Sequence, residues 1–425
     1  MIRPNSIFEI LAKKRDGNEL NKYDFQLICN LASSAPPEQI GAFMMACNIH
    51  GLTRNEISLL TEAMMFSGAS FEPEPGRVDK HSTGGVGDKM SIILAPALRA
   101  AGAVVPMVAG RGLEHTGGTI DKLESIPGFN TSLSIEEMEE NNCFISSQNE
   151  DIAPADSVFY AARDITATVS QIGLITASII SKKAAEGLEK LVLDVKCGSA
   201  AFMKTEEEAI ELAKSMVRTA ADLEIDVTAQ ITRMDHPIGK MIGNGHEIAE
   251  CIDCLRGNGP WDTMELVYMQ ADALGYDIRP HIKDGSALGE FRDMCVRQGV
   301  DEMVADLLIT EPWSVLKKAE HELRVSANQT GFITDIDAMR IGKALCEMGV
   351  GRTGENSEVE HGVGIELIAR VGDYVKQGDI WAIIHHNNIG DPYYIHDSVT
   401  ISDEADKNPL PRLIKTIRYE NLSNE

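Results

Sequence analysis

Residues 78–91 read VDKHSTGGVGDKMS and residues 107–125 read MVAGRGLEHTGGTIDKLES. Each segment is a glycine-rich loop studded with hydroxyls and running into a helix-like stretch. In the first, Lys80, His81, Ser82 and Thr83 precede Gly84, Gly85 and Gly87, with Ser91 beyond. In the second, Gly110, Arg111, Gly112, His115 and Thr116 lead through Gly117 and Gly118 to Thr119. Glycine lets the backbone turn tightly and brings amide N–H groups close to a ligand. A helix that starts just after such a loop aims its free amides and positive dipole end at an anion. Two such loops within fifty residues point to an oxyanion held between them, phosphate first. The first loop matches neither G-x-x-x-x-G-K-[ST] nor G-x-G-x-x-G, so an NTPase or a dinucleotide-dependent dehydrogenase is not indicated.

Around these loops the chain alternates short apolar runs with helical patterns. Ser91–Ala101 reads as a helix and Ala103–Val108 as a strand. Leu191–Val195 is a nearly continuous apolar run, as buried parallel strands are. Thr205–Leu223 then reads as a helix and Asp226–Thr232 as a strand, so the expected sheet is mainly parallel.

The flanks have a different texture. Residues 1–65 read as helices throughout, with Thr53 and Glu56 as a capping box for the fourth. Residues 160–191 are helical, rich in small residues and broken at Gly173. Beyond residue 330 comes a strand at Gly331–Asp337, a helix at Ala338–Met348, and strand-like alternation with turns at Val371-Gly372-Asp373 and Gln377-Gly378-Asp379. The expected fold class is α/β: a small all-helical domain (1–66 and 159–188), a larger α/β domain with a mainly parallel sheet (76–158 and 189–330), and a β-rich C-terminal subdomain (331–425). The chain crosses between the first two domains three times, and such crossings are natural hinges around an interdomain active-site cleft.

Composition narrows the partners. The chain of 425 residues carries 39 basic against 65 acidic residues, a net charge of −26. That argues against nucleic acid and anionic membrane surfaces, and it requires focused positive charge wherever an anion binds. The N-terminal stretch lacks an apolar signal core and nothing nears a membrane span in length, so a cytoplasmic protein is expected. Eight scattered cysteines fit reduced thiols better than disulfides. Cys251-x-x-Cys254 lies in a helix-like run without a second pair, and His385-His386 has no third ligand nearby in sequence. No metal site is assigned.

An anion pocket holding Lys80, Ser82, Ser91 and Thr119 would combine a mobile point charge with hydroxyls free to rotate. His81 titrates near neutral pH and would serve there as a general acid or base, or merely as one more donor. Ser178 and Lys182 stand four apart and share a helix face. With Arg163 they present donors suited to a planar, acceptor-rich ring such as a pyrimidine, unless Asp164 simply pairs with Arg163.

The segments VDKHSTGGVGD, GRGLEHTGGTIDKLESIPGF, ARDITATV, LITASIISKK and LVLDVKCGSAAFMK closely resemble the signature segments of the thymidine and pyrimidine-nucleoside phosphorylases. The similarity spans nearly the whole chain. The resemblance implies a pentosyltransferase that carries out reversible phosphorolysis of a pyrimidine nucleoside, with inorganic phosphate as co-substrate and neither cofactor nor metal. It also implies a homodimer formed through the helical domain. By position, Lys80, Ser82, Ser91 and Thr119 resemble the phosphate ligands, Arg163, Ser178 and Lys182 the base ligands, and His81 the residue that protonates the pyrimidine O2.

Three positions depart from the family pattern. Ala109 replaces a serine that would give another phosphate hydroxyl, Glu114 replaces a glycine in the second loop, and Ala200 replaces a glycine. Met107 stands where the broad-specificity enzymes typically carry a lysine, and LITASIISKK resembles the thymidine enzymes, so thymidine and deoxyuridine are the expected substrates. The alternatives are a broad pyrimidine-nucleoside phosphorylase also acting on uridine, and a nucleoside- and phosphate-binding regulatory protein with impaired catalysis. A phosphoribosyltransferase of similar layout would need a D-x-x-x-D-type metal cluster, and none is convincingly placed.

Overall fold

The apolar run at the centre of the chain becomes the strand Lys190–Cys197, buried from Leu191 onward because both its edges and both its faces are covered. It pairs in parallel with Val78–Ser82 on one side (Lys80 opposite Val192) and Asp226–Arg233 on the other (Val192 opposite Thr228). Parallel pairing requires crossover connections, and these supply the covering helices. Val78 N–H donates to Val104 O at 2.9 Å, which brings the parallel pair Val105–Ala109 and Cys143–Ser147 alongside. The structure is a computed structural model and describes residues 6–112, 115–148, 151–351, 358–388, 390, 392–404 and 411–422.

The helical layer is built from Ile7–Arg15, Lys22–Leu31, Pro37–His50 and Arg54–Met65, joined by Pro154–Ile165 and Ile172–Ala185 from later in the chain. Phe25, Phe43 and Leu60 share one core with Phe159, Leu174 and Ala177. The expected Thr53–Glu56 capping box forms, and Asn21 with Asp24 makes another; each is worth about 1 kcal/mol. Glu56 does more than cap, accepting also from buried Lys14 at 2.7 Å and from the Leu20 N–H at 2.9 Å.

Three expectations need correcting. The break between the paired helices falls at residues 166–171, not at Gly173. Gln171 caps the new helix by accepting the Leu174 N–H, and Gly173 sits inside it because a Cβ there would come within 3.1 Å of Ile57. The first of the pair starts at Pro154, five residues before the expected 159. At the other end, Leu413–Arg418 pairs antiparallel with Asp226–Arg233 and so completes the α/β sheet, while His321–Ser326 joins the β-rich C-terminal sheet by pairing with Ile380–His386. Alternation in a short strand says which face is buried, not which edge the strand will find.

Helix Ile172–Ala185 joins the layers. Leu174 and Ala177 pack into the helical core, and Ile179 and Ile180 pack against Leu191, Leu212 and Met216 of the α/β side. Polar groups fix the joint. Lys183 is 1% exposed, pairs with Asp79 and with Glu186 at 2.8 Å, and donates to Val108 O at 2.8 Å. Burial pushes the Glu186 carboxyl well above its ordinary range, Lys183 offsets part of this, and Asp79 adds to it. Removing one partner of such a pair strands a buried charge. Lys183→Met is therefore expected to destabilise the protein by about 3 kcal/mol, whereas Lys22→Met, which breaks the exposed pair with Glu62, costs about 0.5 kcal/mol or less. Urea denaturation followed by circular dichroism compares the two; equal midpoints would refute the bridge as a restraint.

Candidate active site

The C-terminal ends of Val78–Ser82 and Val105–Ala109 open onto a cavity of ≈ 890 Å³ lying between the sheet and the helical layer. Ligands favour this end of parallel strands because loops and helix starts converge there. Lys80, His81, Ser82, Ser91 and Thr119 line it from the α/β side, and Arg163, Ser178 and Lys182 line it from the helices. All eight residues expected from the sequence therefore face one space.

The loops hold their shape by close approach. Gly87 has φ +79°, and a Cβ there would lie 2.3 Å from Ile238 O; at Gly118 a Cβ would lie 2.0 Å from the Gly112 nitrogen. Only glycine fits such contacts. Buried Lys89 pins the first loop from beneath, donating to Met241 O at 2.8 Å and pairing with Glu250. In the second loop Arg111 is occupied by Asp121 at 3.1 Å and Glu124 at 2.7 Å, while Gly112 N–H donates to Asp121 at 2.7 Å.

On the α/β side Lys80 Nζ lies 3.3 Å from Asp88 Oδ1 and 3.5 Å from Ser91 Oγ. Ser82 donates to Asp88 and accepts the Gly84 N–H at 3.2 Å. Lys122 donates to Asp88 O at 2.6 Å, and Lys196 approaches the Asp88 carboxylate at 3.9 Å. Burial pushes the Asp88 carboxyl up, but the ammoniums of Lys80, Lys196 and Lys122 outweigh it and hold the group well below the usual range, so it is ionised. For His81, burial first and then Lys183, Lys182 and Lys80 hold the imidazole well below its ordinary 6.5. The ring is neutral at pH 7.

Across the cavity, Lys182 pairs with Asp156 and donates to Ser178 Oγ at 3.1 Å, as the four-residue spacing required. Arg163 does not pair with Asp164, which is exposed. Its guanidinium donates to Val169 O at 2.7 Å and Leu174 O at 3.3 Å, and its Nε–H has no partner. Burial, only partly offset by Asp156, pulls its pKa below the ordinary value. Asp156 Oδ1 is likewise buried without a partner. The arrangement offers an anion-binding floor and, facing it, donors for a neutral polar ring.

Several residues here escaped the sequence reading. Asp88 lies inside the first motif but carries the wrong sign for an anion pocket. Asp156 sits 26 residues from Lys182 and had no local signal. Of the departures noted, Ala109 lines the cavity next to Ser147 in register. Ala200 is buried and accepts from His115 Nε2 at 2.8 Å, and Glu114 lies outside the described residues. Met107 is buried in the α/β core with Val105, just before the lining residues Val108 and Ala109. The rings of His385 and His246 lie 4.7 Å apart, tilted at 43°, and His386 lies 5.5 Å from His321; no group of metal-binding type is found among the described residues.

Comparison with known proteins agrees with this layout. Residues 8–68 match the helical bundle domain of the glycosyl transferase family, 74–286 its a/b domain, and 332–399 the pyrimidine nucleoside phosphorylase C-terminal domain. The chain is 41% identical to human thymidine phosphorylase, over 95% of this chain and 90% of that one. It is 38% identical to the pyrimidine-nucleoside phosphorylase of Bacillus subtilis strain 168, over 97% and 99%. Anthranilate phosphoribosyltransferase of Thermus thermophilus shares the fold, with a TM-score of 0.51 at 16% identity over 71% of this chain and 97% of that one. The chain belongs to the glycosyl transferase family, among the thymidine and pyrimidine-nucleoside phosphorylases.

Proposed function

We propose that the protein is a thymidine phosphorylase, which converts thymidine or deoxyuridine and phosphate reversibly to the free base and 2-deoxyribose 1-phosphate. The observation that carries the reading is that two sets of hydrogen-bonding groups, one suited to an anion and one to a base, face each other across one cavity. Lys80, Ser82, Ser91 and Thr119 hold phosphate, and Arg163, Ser178 and Lys182 hold the base. A phosphate oxygen bonds to C1′ as the C1′–N1 bond breaks, and the electron pair leaves on the pyrimidine. Donors aimed at the ring then bind the transition state more tightly than the ground state. Overall, the base gains one proton and the phosphate group gives up the one it carried, so the reaction is proton-neutral.

His81 is the proton carrier in this scheme. It is neutral in the free site, and a phosphate dianion beside it favours the charged ring, so phosphate binding draws a proton to His81. The proton is then available to the pyrimidine O2.

A homodimer through the helical layer is part of the proposal. Exposed Phe8, Met45, Ile49 and Ile165 on three helices that pack together supply an apolar surface for it. No helix among the described residues is long and apolar enough to cross a membrane, and Cys29, Cys47, Cys143, Cys197, Cys251, Cys254 and Cys295 are buried free thiols. A reducing cytoplasm suits such thiols.

Pure protein with thymidine and phosphate is expected to release thymine. No base released from thymidine, deoxyuridine or uridine would refute the function, and equal turnover of uridine and thymidine would favour the broad pyrimidine-nucleoside phosphorylase. His81→Ala is expected to lower kcat by about 10²–10⁴-fold with phosphate still binding. Calorimetry of phosphate binding in buffers of different ionisation heat, run alike on both proteins so that the ionisation of phosphate itself cancels, is expected to show more proton uptake in the native protein than in His81→Ala, with the difference growing from pH 7.5 to 6. Unchanged turnover, or the same uptake in both, would remove the assigned role.

A further inference from the structure

A charge inventory of the anion-binding floor gives an unexpected sum. Lys80, Lys122 and Lys196 are buried there, but each already meets a carboxylate: Lys80 meets Asp88 at 3.3 Å, Lys122 meets Glu247 at 2.8 Å, and Lys196 meets Asp194 at 2.7 Å. Three ammoniums face three carboxylates, so this cluster is neutral before any ligand arrives. Asp88 is the one of the three acids that lines the cavity, and a doubly charged anion must approach it.

Ser82 sharpens the problem. A serine hydroxyl has one hydrogen and two lone pairs. The hydrogen goes to Asp88 and one lone pair takes the Gly84 N–H. What Ser82 and Asp88 leave for a ligand are acceptors, not donors. An anion oxygen set against them makes a bond only if that oxygen carries its own hydrogen; a bare oxygen meets lone pairs and a carboxylate.

We propose that Ser82 and Asp88 form an acceptor pair that recognises the protonated oxygen of the anion, so that the site selects hydrogen phosphate over fully deprotonated tetrahedral anions of the same size and charge, such as sulfate. The proposal rests on the phosphate reading given above and makes Asp88 a specificity-determining residue. It also fixes the orientation of the bound phosphate: its hydroxyl points toward Ser82 and Asp88, and its bare oxygens toward Lys80 and Ser91.

Calorimetric titration of the full chain at pH 7.5 with phosphate, arsenate and sulfate tests it, using the native protein, Asp88→Asn and Ser82→Ala. Arsenate keeps one hydrogen at this pH, as phosphate does, and sulfate keeps none. The expected native result is phosphate and arsenate alike within about threefold and sulfate weaker by about tenfold or more, the scale of a lost hydrogen bond to a charged group. In Asp88→Asn the repelling charge is gone and the amide supplies donors, so sulfate is expected to bind tighter and the phosphate–sulfate gap to close to about threefold. Ser82→Ala narrows the gap without removing the partner of Lys80, and carries the test if the Asn variant does not fold. Equal binding of sulfate and phosphate by the native protein would overturn the proposal, as would an equal loss for all three anions in both variants. Native protein that binds none of the three would instead overturn the phosphate reading itself.

Discussion

The architecture depends on the ammonium of Lys183. It sits one residue beyond Lys182 on the helix that carries the base-side donors, and it is bound to Asp79, one residue before Lys80 on the strand that carries the anion-side donors. Val108 O, at the end of the next strand, is its third anchor together with Glu186. A buried cation with this many acceptors fixes both backbones relative to each other, because moving either one breaks a pair that water cannot replace. The cavity opens beside this joint, so the two halves of the site are held in register where they meet.

The anion side follows the same logic of prior satisfaction. An exposed cluster of lysines in a chain of net charge −26 would bind many anions weakly. Here each lysine is buried and paired, the loops are locked by glycine contacts and by Lys89, and the ligand must displace or reuse existing bonds. That arrangement costs affinity and gains discrimination, since only a ligand with matching donors and acceptors recovers what it disrupts. Neutral His81 lies in the same wall, and in the proposed scheme its charge answers to the ligand's.

Much of this was legible in the sequence for identifiable reasons. Buried parallel strands such as Lys190–Cys197 announce themselves as apolar runs, and the two glycine loops with hydroxyls announce tight turns that line one cavity. The spacing of Ser178 and Lys182 predicts their shared face, and 3.1 Å between them bears that out. Pairings across long sequence separations were not legible. Asp156 and Lys182, Lys122 and Glu247, and Lys183 and Asp79 meet only because the fold brings them together. Asp88 was hidden differently: its sign contradicts the pocket it helps to build. The edge taken by Leu413–Arg418 and the helix break at 166–171 rather than Gly173 were set by packing partners that no local pattern names.

The central claim is that one cleft couples an anion site to a base site. Calorimetric titration of thymine into the protein with and without saturating phosphate measures that coupling directly. The account predicts that phosphate tightens thymine binding by about fivefold or more and that thymine tightens phosphate binding by the same factor, as linkage requires. Thymine affinity that is independent of phosphate would contradict it.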